Sequence, residues 1–141
     1  MSKSVRPAAK ATLAKAMEID PAEPQVWKAF KEVEQDLLNR AETILADGQL
    51  PRALREFQFV IQTNPESARG QNGVGLVLMQ LRNYEEASLA FDRALSLDPG
   101  NARYLQAQSD ARRLQKAAKA LEEKGKETVK GMVNEQPGMK R

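Results

Sequence analysis

The 141-residue chain contains no cysteine and no histidine. The first absence excludes disulfides, thiolate metal sites and cysteine nucleophiles. The second removes imidazole metal ligands, Ser-His catalysis and the usual proton shuttle of neutral pH. Aromatic residues make up only 5% of the chain, so any core must be built mostly from Ala, Leu, Val and Ile. No stretch approaches the roughly 18 consecutive apolar residues that span a bilayer. The opening Met1-Ser2-Lys3-Ser4-Val5-Arg6-Pro7 leads into no apolar run of signal-peptide type, and a cytoplasmic location is expected. No period-two alternation marks a strand. What remains is 41% hydrophobic and 29% charged residues, a mixture able to bury the core of one domain.

The net charge of +3 is unevenly spread. Residues 1–17 hold four basic and no acidic side chains, residues 18–98 eight basic and fourteen acidic, and residues 112–141 nine basic and four acidic. An acidic body therefore lies between basic ends. Such ends can touch nucleic acid or anionic lipid. These lack interleaved aromatics and any recognition module, so solvated termini are expected, with no nucleic acid bound and no membrane insertion.

An internal repeat organises the chain. Ala53 and Ala87, Phe57 and Phe91, and Pro65 and Pro99 are each separated by 34 residues. A partial copy precedes them: Ala16-Met17-Glu18-Ile19-Asp20-Pro21 parallels Ala94-Leu95-Ser96-Leu97-Asp98-Pro99. The N-terminus thus reads as the second half of a repeat, over residues 5–21. Within each unit the apolar period is helical. Val26, Trp27, Phe30, Val33, Leu37, Ala41 and Ile44 fall at steps of three and four, one stripe of a single long helix over residues 24–46. Pro24 suits its first turn and Gly48 its stop.

Further helices are expected at about 50–62, 67–81, 84–96 and 102–124. The helix at 67–81 carries Gly70, Gly73 and Gly75, each costing about 1 kcal/mol against alanine. Gly75 has a packing reason in close helix approach. Gly70 and Gly73 have none visible, so this helix is expected to be the softest part of the body. Residues 102–124 form a capping helix with a polar outer face, which keeps an open-ended stack soluble. Residues 125–141 lack periodicity and read as a basic, disordered tail. Trp27 and Phe30 are expected to be core, packed on Leu13 and Ala16.

These residues resemble the tetratricopeptide repeat family over roughly residues 8–124. Gly75, Tyr84, Ala87, Phe91, Ala94 and Pro99 fill the small, aromatic, alanine, aromatic, alanine and proline slots of one unit. Ala41, Gly48, Ala53, Phe57 and Pro65 do so in the unit before it, with departures at Arg40 and Val60, and Trp27 occupies the tryptophan slot of the long helix. The resemblance implies an all-α, right-handed solenoid of helix hairpins, with an unpaired N-terminal helix and a C-terminal capping helix. It implies a non-enzymatic scaffold or adaptor that binds another protein, without cofactor or metal. Some family members hold chaperone C-terminal carboxylates in a clamp of Lys, Asn and Arg. Here Leu38, Glu42 and Gly73 stand where the clamp needs Lys and Asn, so that ligand is not expected.

Helix pairs that are apolar on more than one face must stack, and stacking leaves a concave surface lined by the first helix of each pair. Such a surface suits a partner peptide or helix. Its expected lining is Arg69, Asn72, Leu76, Met79 and Gln80, then Arg103, Gln106, Asp110 and Arg113, with Lys28, Glu32, Leu38, Glu42 and Leu45 as the nearest equivalents on the long helix. Leu76 and Met79 would form an apolar floor, and Arg69, Arg103 and Arg113 would pair partner carboxylates. Glu85-Glu86 and Glu122-Glu123 sit on solvent faces without a cleft, and no catalytic residue is expected. The alternative is self-association, with a second chain covering the unpaired N-terminal helix.

Overall fold

The structure, a computed structural model, describes residues 24–135, with side chains to residue 132. The expected half-repeat at 5–21 lies outside the described residues, as do Leu13 and Ala16. Five helices follow one another: α1 Pro24–Ala46, α2 Leu50–Thr63, α3 Ala68–Gln80, α4 Tyr84–Leu97 and α5 Ala102–Glu135. No strand occurs among the described residues. Each helix packs chiefly on its sequence neighbours, and the first helices α1, α3 and α5 also touch in succession. The architecture is an all-α solenoid of helix hairpins.

The turns show the 34-residue period at atomic detail. After α1, Gly48 takes φ +81°. Its N–H donates to Leu45 O at 2.9 Å, and the Gln49 N–H donates to Ile44 O at 3.2 Å. One repeat later, Arg82 donates to Met79 O at 3.0 Å and Asn83 to Leu78 O at 2.8 Å. The backbone is the same, but Arg82 has a side chain and still adopts φ +65°, a left-handed conformation that costs an L-residue about 1–2 kcal/mol. Helix starts are built from side chains. Pro51 sits in the first turn of α2, where a missing N–H costs nothing. The Ser67 Oγ accepts from the Gly70 N–H at 3.0 Å, and the Asn101 Oδ1 accepts from the N–H groups of Arg103 and Tyr104.

The core is filled by few large groups set among small ones. Phe57, Phe91, Leu37, Val60 and Val77 are the largest side chains wholly removed from solvent. Each contributes about 1.5–3 kcal/mol of transfer free energy. Ala41, Ala53, Ala87, Ala90 and Ala94 are equally buried and let the helices close on the two phenylalanines. One cluster joins α1, α2, α3 and Ala90 of α4 around Phe57; a second joins α4 and α5 around Phe91, with Leu76, Leu78 and Met79 of α3 packed on it.

Three sequence expectations need correction. Gly73 does have a packing reason: a Cβ there would lie 2.2 Å from the Phe57 ring. At Gly70 it would lie 2.9 Å from Ile61. With Gly75 against Phe91, α3 is the helix most tightly enclosed, not the softest; Gly70, Gln71, Gly73, Val74, Gly75 and Val77 are all buried. Next, α5 does not stop at residue 124 but runs to Glu135, so the expected tail is helical over 125–135. Lys and Glu are strong helix formers, and they carry the helix past Gly125 and Gly131. Last, Trp27 is 43% exposed and lies edge-to-face on Phe30, with ring centroids 5.4 Å apart. Of the pair, Phe30 alone is buried.

Candidate functional site

The face shared by α1, α3 and α5 is defined by one cross-helix cluster. Arg69, in the first turn of α3, reaches back to α1. Its Nε donates to Glu42 Oε2 and its Nη2 to Glu42 Oε1, both at 2.8 Å, and Nη2 also donates to Asn39 Oδ1 at 2.6 Å. This is a planar, two-pronged pair of the kind only arginine makes. The hydrogen bond and charge of Glu42 hold the Arg69 guanidinium protonated beyond its ordinary range, against a smaller opposing effect of burial. On the other side, Tyr104 of α5 is buried. Burial first, and the Asp98 charge second, push its hydroxyl above the ordinary value of 10.0, and Arg69 acts in the opposite direction. Arg69 thus couples electrostatically to all three first helices.

The remaining expected residues divide into packed and accessible. Leu76 is half-buried and packs against both core clusters, and Met79 packs on the second. Asn72 is half-buried and Gln80 exposed. On α5 the Asp110 Oδ1 accepts from Gln106 Nε2 at 3.0 Å and from Arg113 Nη2 at 3.2 Å. Arg103 is exposed and makes no ion pair among the described residues. So the structure brings Arg69 together with Glu42, and Gln106 with Asp110 and Arg113. It leaves Arg103 as an exposed cation of the face with no ion pair among the described residues.

On α1 the expected lining holds for Glu42, which meets Arg69 on this face, but not for Leu38 and Leu45. Leu38 is 2% exposed and Leu45 is buried, so both are core. Lys28 and Glu32 instead border a shallow, open depression along α1 with Pro24, Trp27, Lys31 and Gln35. Asn39 and Tyr104 are participants that sequence reasoning missed. A 30-residue separation between Asn39 and Arg69 follows from stacking, and only the 34-residue register could have pointed to it. No group of metal-ligating side chains occurs among the described residues. No described helix is long and apolar enough to cross a membrane.

A family model, the tetratricopeptide repeat, matches residues 38–102. Residues 38–102 are of the tetratricopeptide repeat type. The match spans both hairpins, from the second half of α1 to the start of α5. Solved structures agree: the TPR domain of Arabidopsis OM64 superposes with a TM-score of 0.53 at 17% identity, over 75% of this chain and 96% of that one. At that identity the likeness shows the fold. No curated relative matches the chain. TPR repeats generally mediate protein–protein interactions, and the fold is typically a non-enzymatic scaffold.

Proposed function

We propose that this chain is a non-enzymatic cytoplasmic adaptor whose groove face, on α1, α3 and α5, receives a peptide or helix of another protein. The observation that supports the reading best is that repeat-equivalent residues of α3 and α5 are fitted for different tasks. Arg69 is consumed by Glu42 and Asn39 and stiffens the face, whereas Arg103 at the matching position of α5 stays accessible. A partner carboxylate would therefore be paired by Arg103, beside Gln106. Leu76 and Met79 would supply the apolar contact, through the part of each that the core leaves open.

The test is affinity capture with the parent chain and with an Arg69→Ala, Leu76→Ala, Arg103→Ala triple variant, after circular dichroism shows that both are folded. Loss of the parent's partners is the expected result. Recovery of the same partners by both chains refutes the groove assignment.

A further inference from the structure

The first turns of α1 reach past the end of α2. Asn64, which ends α2, donates to Glu34 at 2.8 Å, and residues 24–33 precede that bond. Helices α1 and α3 end in register at Ala46 and Gln80, so the extra length of α1, 23 residues against 13, lies at its start. There Val26 and Val33 are half-buried and Ala29 is exposed. Further along the same side, at steps of three and four, stand Asp36 and Arg40. The apolar sector therefore ends at Val33, and only the first turns call for cover.

The chain shows twice how such a sector is covered. Helices α3, α5 and α1 begin three positions after Pro65, Pro99 and Pro21. About Pro65 the chain folds back on itself. Phe57, eight positions before it, meets Gly73, eight positions after, where a Cβ would stand 2.2 Å from the ring. Val60 and Ile61 meet Gly70 in the same way. About Pro99 the same steps set Phe91 against Ala107. The positions five, eight and twelve after the proline are buried in α3, as Gly70, Gly73 and Val77. In α5 they are Tyr104 and Ala111, both buried, and Ala107, half-buried. In α1 they are Val26, Ala29 and Val33, all apolar and none of them buried.

We propose that residues 9–20 of the same chain cover this sector, as a helix running back along α1. Reflection about Pro21 sets Leu13 on Ala29, Ala16 and Met17 on Val26, and Ala9 on Val33. Ala9 matches Ala53 and Ala87, both wholly buried, at twelve positions before the proline. It falls opposite the last apolar residue of the sector, so segment and sector agree in length. Tethering selects this occupant over a second copy. Three residues join the segment to α1, and it escapes the translational and rotational cost that a free chain pays on association. Trp27 stands about 100° or more around the helix from each of the three contact residues. It is left uncovered, and Leu13 faces Ala29 instead.

The chain has no cysteine, so introduced pairs report the contact directly. Full-length Leu13→Cys/Ala29→Cys is oxidised in dilute solution beside Leu13→Cys/Lys31→Cys, whose second cysteine lies across the helix. An intrachain disulfide is expected in the first and not in the second. Amide exchange over residues 9–20 of the parent should be slowed by about tenfold or more. That protection should vanish in Ala29→Arg, a change at an exposed position, while circular dichroism shows the hairpins still folded. A disulfide that joins two chains gives the sector to a second copy. Equal cross-linking of both variants, or unprotected amides over 9–20 in the parent, means that no fixed segment lies there. Protection that survives Ala29→Arg means that the segment rests elsewhere. Each of these results overturns the proposal.

Discussion

Replacing Gly73 by alanine pits two effects of known size against each other. In a helix interior the change gains about 1 kcal/mol of intrinsic propensity. The added methyl, however, would stand 2.2, 2.3 and 2.6 Å from three atoms of the Phe57 ring. The ring is wholly buried, so it cannot swing into solvent. To reach ordinary contact it must retreat by more than 1 Å, or α3 must slide from α2. Overpacking of this kind costs about 1–3 kcal/mol; against a contact this short the upper part of that range applies. Gly73→Ala is therefore expected to destabilise the chain by about 1–2 kcal/mol net, read as a lower urea midpoint at unchanged slope. The Phe57→Leu variant loses core volume on its own, but the two changes together should cost at least about 1 kcal/mol less than their sum, because each relieves the other. A Gly73→Ala chain as stable as the parent would falsify the argument that this glycine exists to seat Phe57. The same substitution at Gly125, where nothing lies within 4 Å of the new Cβ, should instead raise helicity by circular dichroism.

Other outcomes follow from the same geometry. Arg82→Gly places at φ +65° the residue that its repeat-mate Gly48 already supplies, and should stabilise by about 1 kcal/mol, seen as a higher melting temperature. A lower one would show that the Arg82 side chain holds the turn. Tyr104 ionises less readily folded than unfolded, because burial disfavours its anion. The unfolded chain then sheds its proton first, so stability is full below pH 10.0 and falls as pH rises above it. Tyr104→Phe should flatten that alkaline loss in urea titrations from pH 9 upward, and an unchanged slope would refute it. The Arg69–Glu42 pair is partly exposed, 30% and 45%, so Glu42→Gln should cost only about 0.2–1 kcal/mol, with a smaller difference in high salt. A loss of several kcal/mol would mean that the pair carries the fold.

The helices, their order and their stacking partners were legible in the sequence. A recurrence of Ala, Phe and Pro at 34 residues, with apolar steps of three and four, allows one arrangement in which every stripe is covered, and the match over residues 38–102 agrees with it. Phe57 and Phe91 could be named as core from that register alone. What the register cannot carry is contact between side chains of different repeats. The role of Gly73 depends on a ring sixteen residues away across a hairpin, and the capture of Arg69 by Glu42 and Asn39 on how far two helices slide. The outer end of α5 failed for a different reason. Without a core to pack on, its helicity rests on the propensity of Lys, Glu and Ala, and two glycines masked that signal. The residue pattern reveals which positions repeat; only the stacked helices decided which of the repeated positions are filled, paired or left exposed.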